Sequence, residues 1–273
     1  MQKTSVRWLS LFWGIDSLRI PGLRLVLLMS KVVGIIPARW GSTRFPGKPL
    51  HGIAGKPLVR HVWERCVEAG CFDQIIIATD DMRIAEAGFD FGAEVAVTAA
   101  DHPSGTDRIA EVARKLKKAS IIFNIQGDEP LIDPSLLQRL TRKLRDSPQI
   151  QIVTAAAPLP PEESSSEQNV KVVFDFKGDA LYFSRSCIPF LRGSSEIRTY
   201  RHLGVYGYRR KALLDFVKLP RSSLEQAEQL EQLRALENGM KIRVIVSETG
   251  SPGVDTLEDA AEVERLILSR RSG

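Results

Sequence analysis

Cysteine is scarce in this 273-residue chain. Cys66, Cys71 and Cys187 form an odd set without Cys-x-x-Cys spacing, which reads as reduced, unpaired thiols in a cytosolic protein. Long hydrophobic runs are missing too: no stretch approaches the roughly 20 apolar residues that span a bilayer, so stable membrane insertion is not expected. There is no basic tract with interleaved aromatics, so the net charge of +5 does not point to nucleic acid. Internal repeats are absent. What is present is ordinary for a soluble globular protein, 43% apolar and 26% charged. That suits one large domain, or one domain with a smaller inserted lobe.

Part of the positive charge is local. Residues 1–30 contain Lys3, Arg7, Arg19 and Arg24 against a single acid, Asp16. The remaining body is only mildly basic, which suits anionic small substrates. Trp8–Ile15 loosely imitates a signal peptide, but Asp16, Arg19, Pro21 and Arg24 interrupt it. The segment reads as a dispensable extension ahead of Met29. The alternative is a weak interfacial anchor, with Trp8, Leu11, Phe12 and Trp13 sharing a helical face.

From Lys31 onward, short apolar runs alternate with amphipathic helical patterns. Strands are expected at Val32–Pro37, Ile75–Thr79, Glu94–Thr98, Ile121–Ile125, Ile150–Ala156 and Ile242–Ser247. Helices are expected at Leu58–Ala69, Met82–Phe91, Asp107–Lys118, Pro134–Arg145, Arg210–Val217, Leu224–Glu237 and Thr256–Ser269. This alternation predicts an α/β fold with a mainly parallel twisted sheet flanked by helices. Val170–Phe174 and Ala180–Phe183 flank Lys177-Gly178 and predict a hairpin. With Leu203–Tyr208 they mark an inserted β-containing lobe at about 170–220.

The first strand runs into a loop rich in glycine and cations, with Arg39, Gly41, Arg44, Gly47 and Lys48. Open α/β sheets place ligand-binding loops at such strand ends. Glycine lets the backbone approach a phosphate, and arginine and lysine supply its counter-charge. The spacing is not that of a P-loop: five residues separate Gly41 from Gly47, and Pro49 follows Lys48. The dinucleotide fingerprint Gly-x-Gly-x-x-Gly is also absent. Two acids lie beyond strands: Asp128 in the tight Gln126-Gly127-Asp128-Glu129-Pro130 turn and Asp255 in Gly253-Val254-Asp255-Thr256. Paired carboxylates beside a phosphate loop suit Mg²⁺, which takes hard oxygen ligands. Asp255 also fits as the cap of the helix that follows.

Pro37-Ala38-Arg39-x-x-Ser42-x-Arg44-x-x-x-Lys48 resembles the signature loop of the sugar nucleotidyltransferases. The whole stretch IIPARWGSTRFPGKPL is similar to that of the 3-deoxy-manno-octulosonate cytidylyltransferases. The likeness continues through DHPSGTDR at 101–108, QGDEP at 126–130, VKVV at 170–173, YFSR at 182–185, RHLGVYGY at 201–208, EQLR at 231–234 and GVDT at 253–256. It spans Lys31 to about Leu268, a nucleotidyltransferase domain over 31–273. The chain departs from the family around Arg192–Tyr200, where the loop is short, and at Leu257, where proline is common.

The resemblance implies an enzyme that joins CTP to an acidic sugar, 3-deoxy-D-manno-octulosonate (KDO), giving CMP-KDO and pyrophosphate. Another acidic sugar, such as sialic acid, or a non-catalytic nucleotide-binding regulator are the alternatives. It implies Arg39, Lys48, Asp128 and Asp255 as catalytic residues, the two aspartates holding Mg²⁺. Arg39, Arg44 and Lys48 would meet the triphosphate, and Ser104 and Gln126 the cytosine or ribose. Arg185, Arg192, His202, Tyr206, Glu231 and Gln232 would surround the sugar. It further implies a cytoplasmic homodimer, joined through the inserted lobe, whose product feeds lipopolysaccharide assembly.

Overall fold

The computed structural model describes residues 31–41, 45–192 and 197–271. The extension and Arg44 lie outside the described residues. In chain order the elements begin with β1 (Lys31–Ala38), a short 3-10 turn at Lys48–Leu50, and the small hairpin β2 (Gly52–Ile53) and β3 (Lys56–Pro57). Then come α1 (Leu58–Ala69), β4 (Gln74–Thr79), α2 (Met82–Asp90), β5 (Glu94–Val97), α3 (Gly105–Lys115), β6 (Ala119–Asn124), α4 (Pro134–Asp146) and β7 (Ile152–Pro158). The second half holds β8 (Lys171–Phe174), β9 (Ala180–Ser184), β10 (Tyr200–Arg209), α5 (Arg210–Phe216), α6 (Ser223–Glu228), α7 (Gln232–Glu237), β11 (Ile242–Val246) and α8 (Leu257–Arg271).

The main sheet has the order β11-β7-β10-β6-β1-β4-β5. Its pairs β1–β4, β1–β6, β4–β5 and β7–β11 are parallel. Strand β10 alone on this path runs the other way, antiparallel to both β6 and β7. The mainly parallel α/β architecture is therefore as expected. Strand β1 is buried on both faces because its side chains alternate: Val32 and Ile36 join the core under α1 and α4, while Val33 and Ile35 join the core under α3 and α5. Side-chain caps define helix starts, with Asp81, Ser104 and Asp133 each accepting a backbone N–H of the first turn. No helix among the described residues is long and apolar enough to cross a membrane.

Two features depart from the sequence pattern. The 203–208 run, expected in a separate lobe, belongs to β10 and lies in the middle of the main sheet. Only the β8–β9 hairpin stands off the path, joined through Arg201 opposite Lys171. The second departure is the expected single helix over 224–237, which breaks into α6 and α7 at Gln229, whose φ is 54°. The break lets Arg234 fold back on Glu225 through two hydrogen bonds of 2.7 and 2.9 Å, a buried pair that stays satisfied. It also presents Glu231 to the start of α3.

Gly207 makes the central position of β10 possible. It pairs with Phe123 on one side and Val153 on the other. A Cβ there would lie 2.7 Å from the Phe123 ring and 2.8 Å from a Val153 methyl. Gly207→Ala is expected to overpack this seam and cost about 1–3 kcal/mol. Equilibrium denaturant unfolding measures the loss, and an unchanged midpoint would contradict the close packing described.

Candidate functional site

The carboxyl ends of the parallel strands form one rim, and Arg39, Lys48, Ser104, Gln126, Asp128 and Asp255 of the sequence-predicted residues converge there. After β1 the chain doubles back, and the Gly47 N–H donates to the Trp40 carbonyl at 3.1 Å. Lys48 then opens the 3-10 turn with its side chain crossing the rim. Its Nζ lies 2.7 Å from Asp128 Oδ2, 3.1 Å from Asp255 Oδ1 and 2.8 Å from the Val254 carbonyl. Burial by itself disfavours the ammonium. The charge and hydrogen bond of Asp128, then those of Asp255, outweigh it and hold the Lys48 pKa above its ordinary value.

Asp128 is placed by the turn after β6. Gly127 lets that turn pass close over β1, since a Cβ there would sit 2.9 Å from the Pro37 carbonyl oxygen. The Val254 N–H donates to the Asp128 carbonyl at 2.8 Å, so the two acid-bearing loops are stitched together through their main chains. Asp255 is not the cap of α8. Thr256 Oγ1 accepts from the Asp259 N–H, and Asp259 Oδ2 accepts from the N–H groups of Asp255 and Thr256, both at 2.9 Å. This leaves the Asp255 carboxylate turned to Lys48. Next to Asp128, Glu129 is pushed up to about 7 by burial and by the Asp128 charge.

A cavity of about 430 Å³ opens between these loops, lined by Arg39, Lys48, Ser104, Gln126, Asp128 and Asp255. One wall is the segment before α3. Glu111 holds it, accepting from the Ala99 N–H at 3.0 Å and meeting His102 Nε2 at 2.7 Å. Those bonds keep Glu111 ionised down to about 2. Arg108 also lines the cavity and was missed by reading the sequence. It is buried, with Nη1 3.0 Å from Asp80 Oδ1 and bonded to Thr98 Oγ1 at 2.5 Å. The available signal was its place one turn after the Ser104 cap, which aims it at the same rim as the helix N-terminus.

Among the residues expected at the sugar, Tyr206, Glu231 and Gln232 line one small enclosed cavity. His202 adjoins it, its ring centroid 5.2 Å from that of Tyr206. Glu231 accepts from the Ser104 hydroxyl at 2.9 Å and from Thr106 Oγ1 at 2.7 Å, linking this pocket to the larger cavity. Burial raises its pKa. Arg185 and Arg192 line neither cavity. The Arg185 guanidinium donates to the carbonyls of Glu228 at 3.0 Å and Glu167 at 2.9 Å, which fixes the end of α6, and Arg192 is exposed. The three cysteines stay apart from the rim, Cys66 in the core with its thiol pushed up by burial.

The rim holds two carboxylates within reach of one ammonium and, among the described residues, no cluster of three or more His, Cys, Asp or Glu. This donor set matches a magnesium ion that takes its remaining ligands from phosphate and water. A polar cavity at the strand ends, with fixed cations and paired acids, defines a nucleotidyltransferase-type site.

A family model described as cytidylyltransferase matches residues 33–242. A 3-deoxy-manno-octulosonate cytidylyltransferase of Syntrophobacter fumaroxidans is 50% identical over 248 residues, 89% of this chain and 99% of that one. That of Solibacter usitatus is 50% identical over 239 residues, 87% of this chain and 94% of that one. Among solved structures, a CMP:2-keto-3-deoxy-manno-octonic acid synthetase complexed with CTP is similar with a TM-score of 0.85 and 42% identity, covering 88% of this chain and all of that one. The chain belongs to the 3-deoxy-manno-octulosonate cytidylyltransferases, a family of nucleotidyltransferase enzymes.

His202 gives this site a measurable signature. His202 Nε2 lies 2.9 Å from Thr154 Oγ1, which is also 2.8 Å from the Val205 carbonyl. Burial pushes the imidazole down from 6.5 to about 3. The unfolded chain therefore takes up this proton first as pH falls. The contribution of His202 to stability is full above about pH 6.5 and is lost as pH drops toward 3. The ring is expected to stay neutral at pH 5 by NMR; titration near 6.5 would contradict the desolvation of this half-buried ring.

Proposed function

We infer that the protein couples CTP to 3-deoxy-D-manno-octulosonate, giving CMP-KDO and pyrophosphate. The observation that carries this reading is the meeting of Lys48, Asp128 and Asp255 at one point of a polar cavity. The triphosphate lies along the larger cavity, where Arg39, Lys48 and Arg108 offset its charge. Ser104 and Gln126 face the nucleoside. The sugar acid occupies the side of Tyr206, Glu231, Gln232 and His202, with Glu231 and Gln232 bonding hydroxyls.

The anomeric hydroxyl oxygen attacks the α-phosphorus in line. The new O–P bond forms as the bond to the β-phosphate oxygen breaks, and the hydroxyl proton is released. Such transfers depend on positioning and charge neutralisation rather than on a protein nucleophile. Asp128 and Asp255 are the residues that hold Mg²⁺ in this reading; the bound ion supplies positive charge to the α-phosphate and the leaving pyrophosphate. Lys48, now bonded to both acids, is within reach of the phosphates they would share. In this reading the reaction runs in the cytoplasm, upstream of lipopolysaccharide assembly.

The protein is further proposed to act as a homodimer. Support comes from Phe176, Leu181, Phe190, Leu191 and Ile197, large apolar side chains exposed on the β8–β9 hairpin and the segment after it. Apolar exposure of this kind marks an association surface.

Three measurements check these readings. Pyrophosphate release from four nucleoside triphosphates crossed with KDO, sialic acid and a polyol phosphate is expected only with CTP and KDO. Asp128→Asn is expected to lower kcat by about a thousandfold or more with unfolding unchanged; near-normal turnover at saturating Mg²⁺ would refute the metal assignment. Sedimentation is expected to give twice the chain mass, with Phe190→Glu shifting it to one; a monomeric native protein would refute the dimer.

A further inference from the structure

Lys48 follows directly on Gly47, which has φ of 74° and meets Trp40, the second residue after β1. Trp40 grips Gly47 twice. Its carbonyl accepts from the Gly47 N–H, and its six-membered ring lies against Gly47 so closely that a Cβ there would be 3.0 Å from two ring carbons. Glycine is thus required at 47 for both backbone conformation and space. The ring is held in turn by Arg83, whose guanidinium carbon stands 3.4 Å from the ring centroid.

Arg83 is itself oriented. It comes from the first turn of α2 and makes a two-point contact with Asp81, Nε to Oδ1 at 2.9 Å and Nη2 to Oδ2 at 2.6 Å. Asp81 is the cap of α2, and its own N–H donates to Thr79 Oγ1 at the end of β4. A chain of contacts therefore runs from the β4 strand end through Asp81 and Arg83 to Trp40 and Gly47, and so to Lys48. A planar guanidinium over an indole is the best-matched cation–π pair, and a lysine would not reproduce its stacking.

We propose that Trp40 and Arg83 are positioning residues, a latch that sets Arg39 and Lys48 where they bind the CTP triphosphate. Neither contacts the carboxylates or lines the cavity; both act through the placement of Arg39 and Lys48 on either side of the stack. A purely structural role makes a different demand. Trp40 packs against the core, but the Arg83 side chain is 56% exposed, so its removal does not open the core.

The inference rests on the larger cavity being the CTP site. Calorimetric titration of CTP with Mg²⁺, without sugar, is therefore run on the wild-type protein first, together with Trp40→Ala, Trp40→Phe, Arg83→Ala and the Trp40→Ala/Arg83→Ala double variant. Absence of CTP binding by the wild type would refute the functional reading itself. With wild-type binding in place, Arg83→Ala and Trp40→Ala are each expected to weaken CTP threefold or more. Their KM for CTP rises in step, while KM for the sugar acid stays within about 1.5-fold. Trp40→Phe keeps an aromatic face and is expected to bind nearly as the wild type. The double variant is expected to be no weaker than the weaker single one, because both remove the same stack. The thermal midpoint of Arg83→Ala is expected to be unchanged. Wild-type affinity in Arg83→Ala, an equal rise in KM for the sugar, or multiplying effects in the double variant would each overturn the latch. Should Trp40→Ala fail to fold, Arg83→Ala alone decides.

Discussion

One ammonium group holds the rim together. Lys48 Nζ lies within 3.1 Å of carboxylates 80 and 207 residues further along the chain. Each carboxylate would repel the other if left without a cation between them. The ammonium offsets that repulsion, and the main-chain bond from Val254 to Asp128 fixes the loops that carry them. Under this cluster lies a separate apolar core of Phe45, Ile53, Leu58, Val254, Ala260, Val263 and Ile267, which packs α8 and the small hairpin against each other. The first loop and the last helix are therefore one mechanical unit, and the Lys48–Asp128–Asp255 cluster is assembled across the full length of the domain.

The same unit connects to the sugar side through hydroxyls rather than charges. Ser104 caps α3, lines the larger cavity and donates to Glu231. Its single proton has a second acceptor, Asp107 Oδ2, at 2.8 Å. Glu231 is in place because α6 ends at Gln229 and because Glu225 and Arg234 pair behind it. The two cavities thus share one wall built from the start of α3 and the α6–α7 break.

Much of this was legible in the sequence where local chemistry decides. The runs at β1, β4 and β6 are apolar without alternation because both faces are covered. Long-range pairing was not legible. Nothing local to Leu203–Tyr208 says that it enters the main sheet between β6 and β7; that depends on Gly207 meeting Phe123 and Val153. Gln229 carries no helix-breaking signal, and its left-handed conformation follows from the buried Glu225–Arg234 pair. Asp255 read equally as a cap or a ligand until Thr256 and Asp259 were seen to do the capping. Arg185 has the chemistry for a sugar carboxylate, yet it lines neither cavity, and its Nε and one Nη1 proton go to the carbonyls of Glu228 and Glu167.

The central claim is that Asp128 and Asp255 act as one metal-holding pair set by Lys48. The most direct measurement is an electron paramagnetic resonance titration of Mn²⁺ with a non-reactive CTP analogue bound, on the native protein and on Asp128→Asn and Asp255→Asn separately. The account predicts that either substitution alone weakens Mn²⁺ at least tenfold and alters its spectrum. Native-like Mn²⁺ affinity and spectrum in either variant would contradict it.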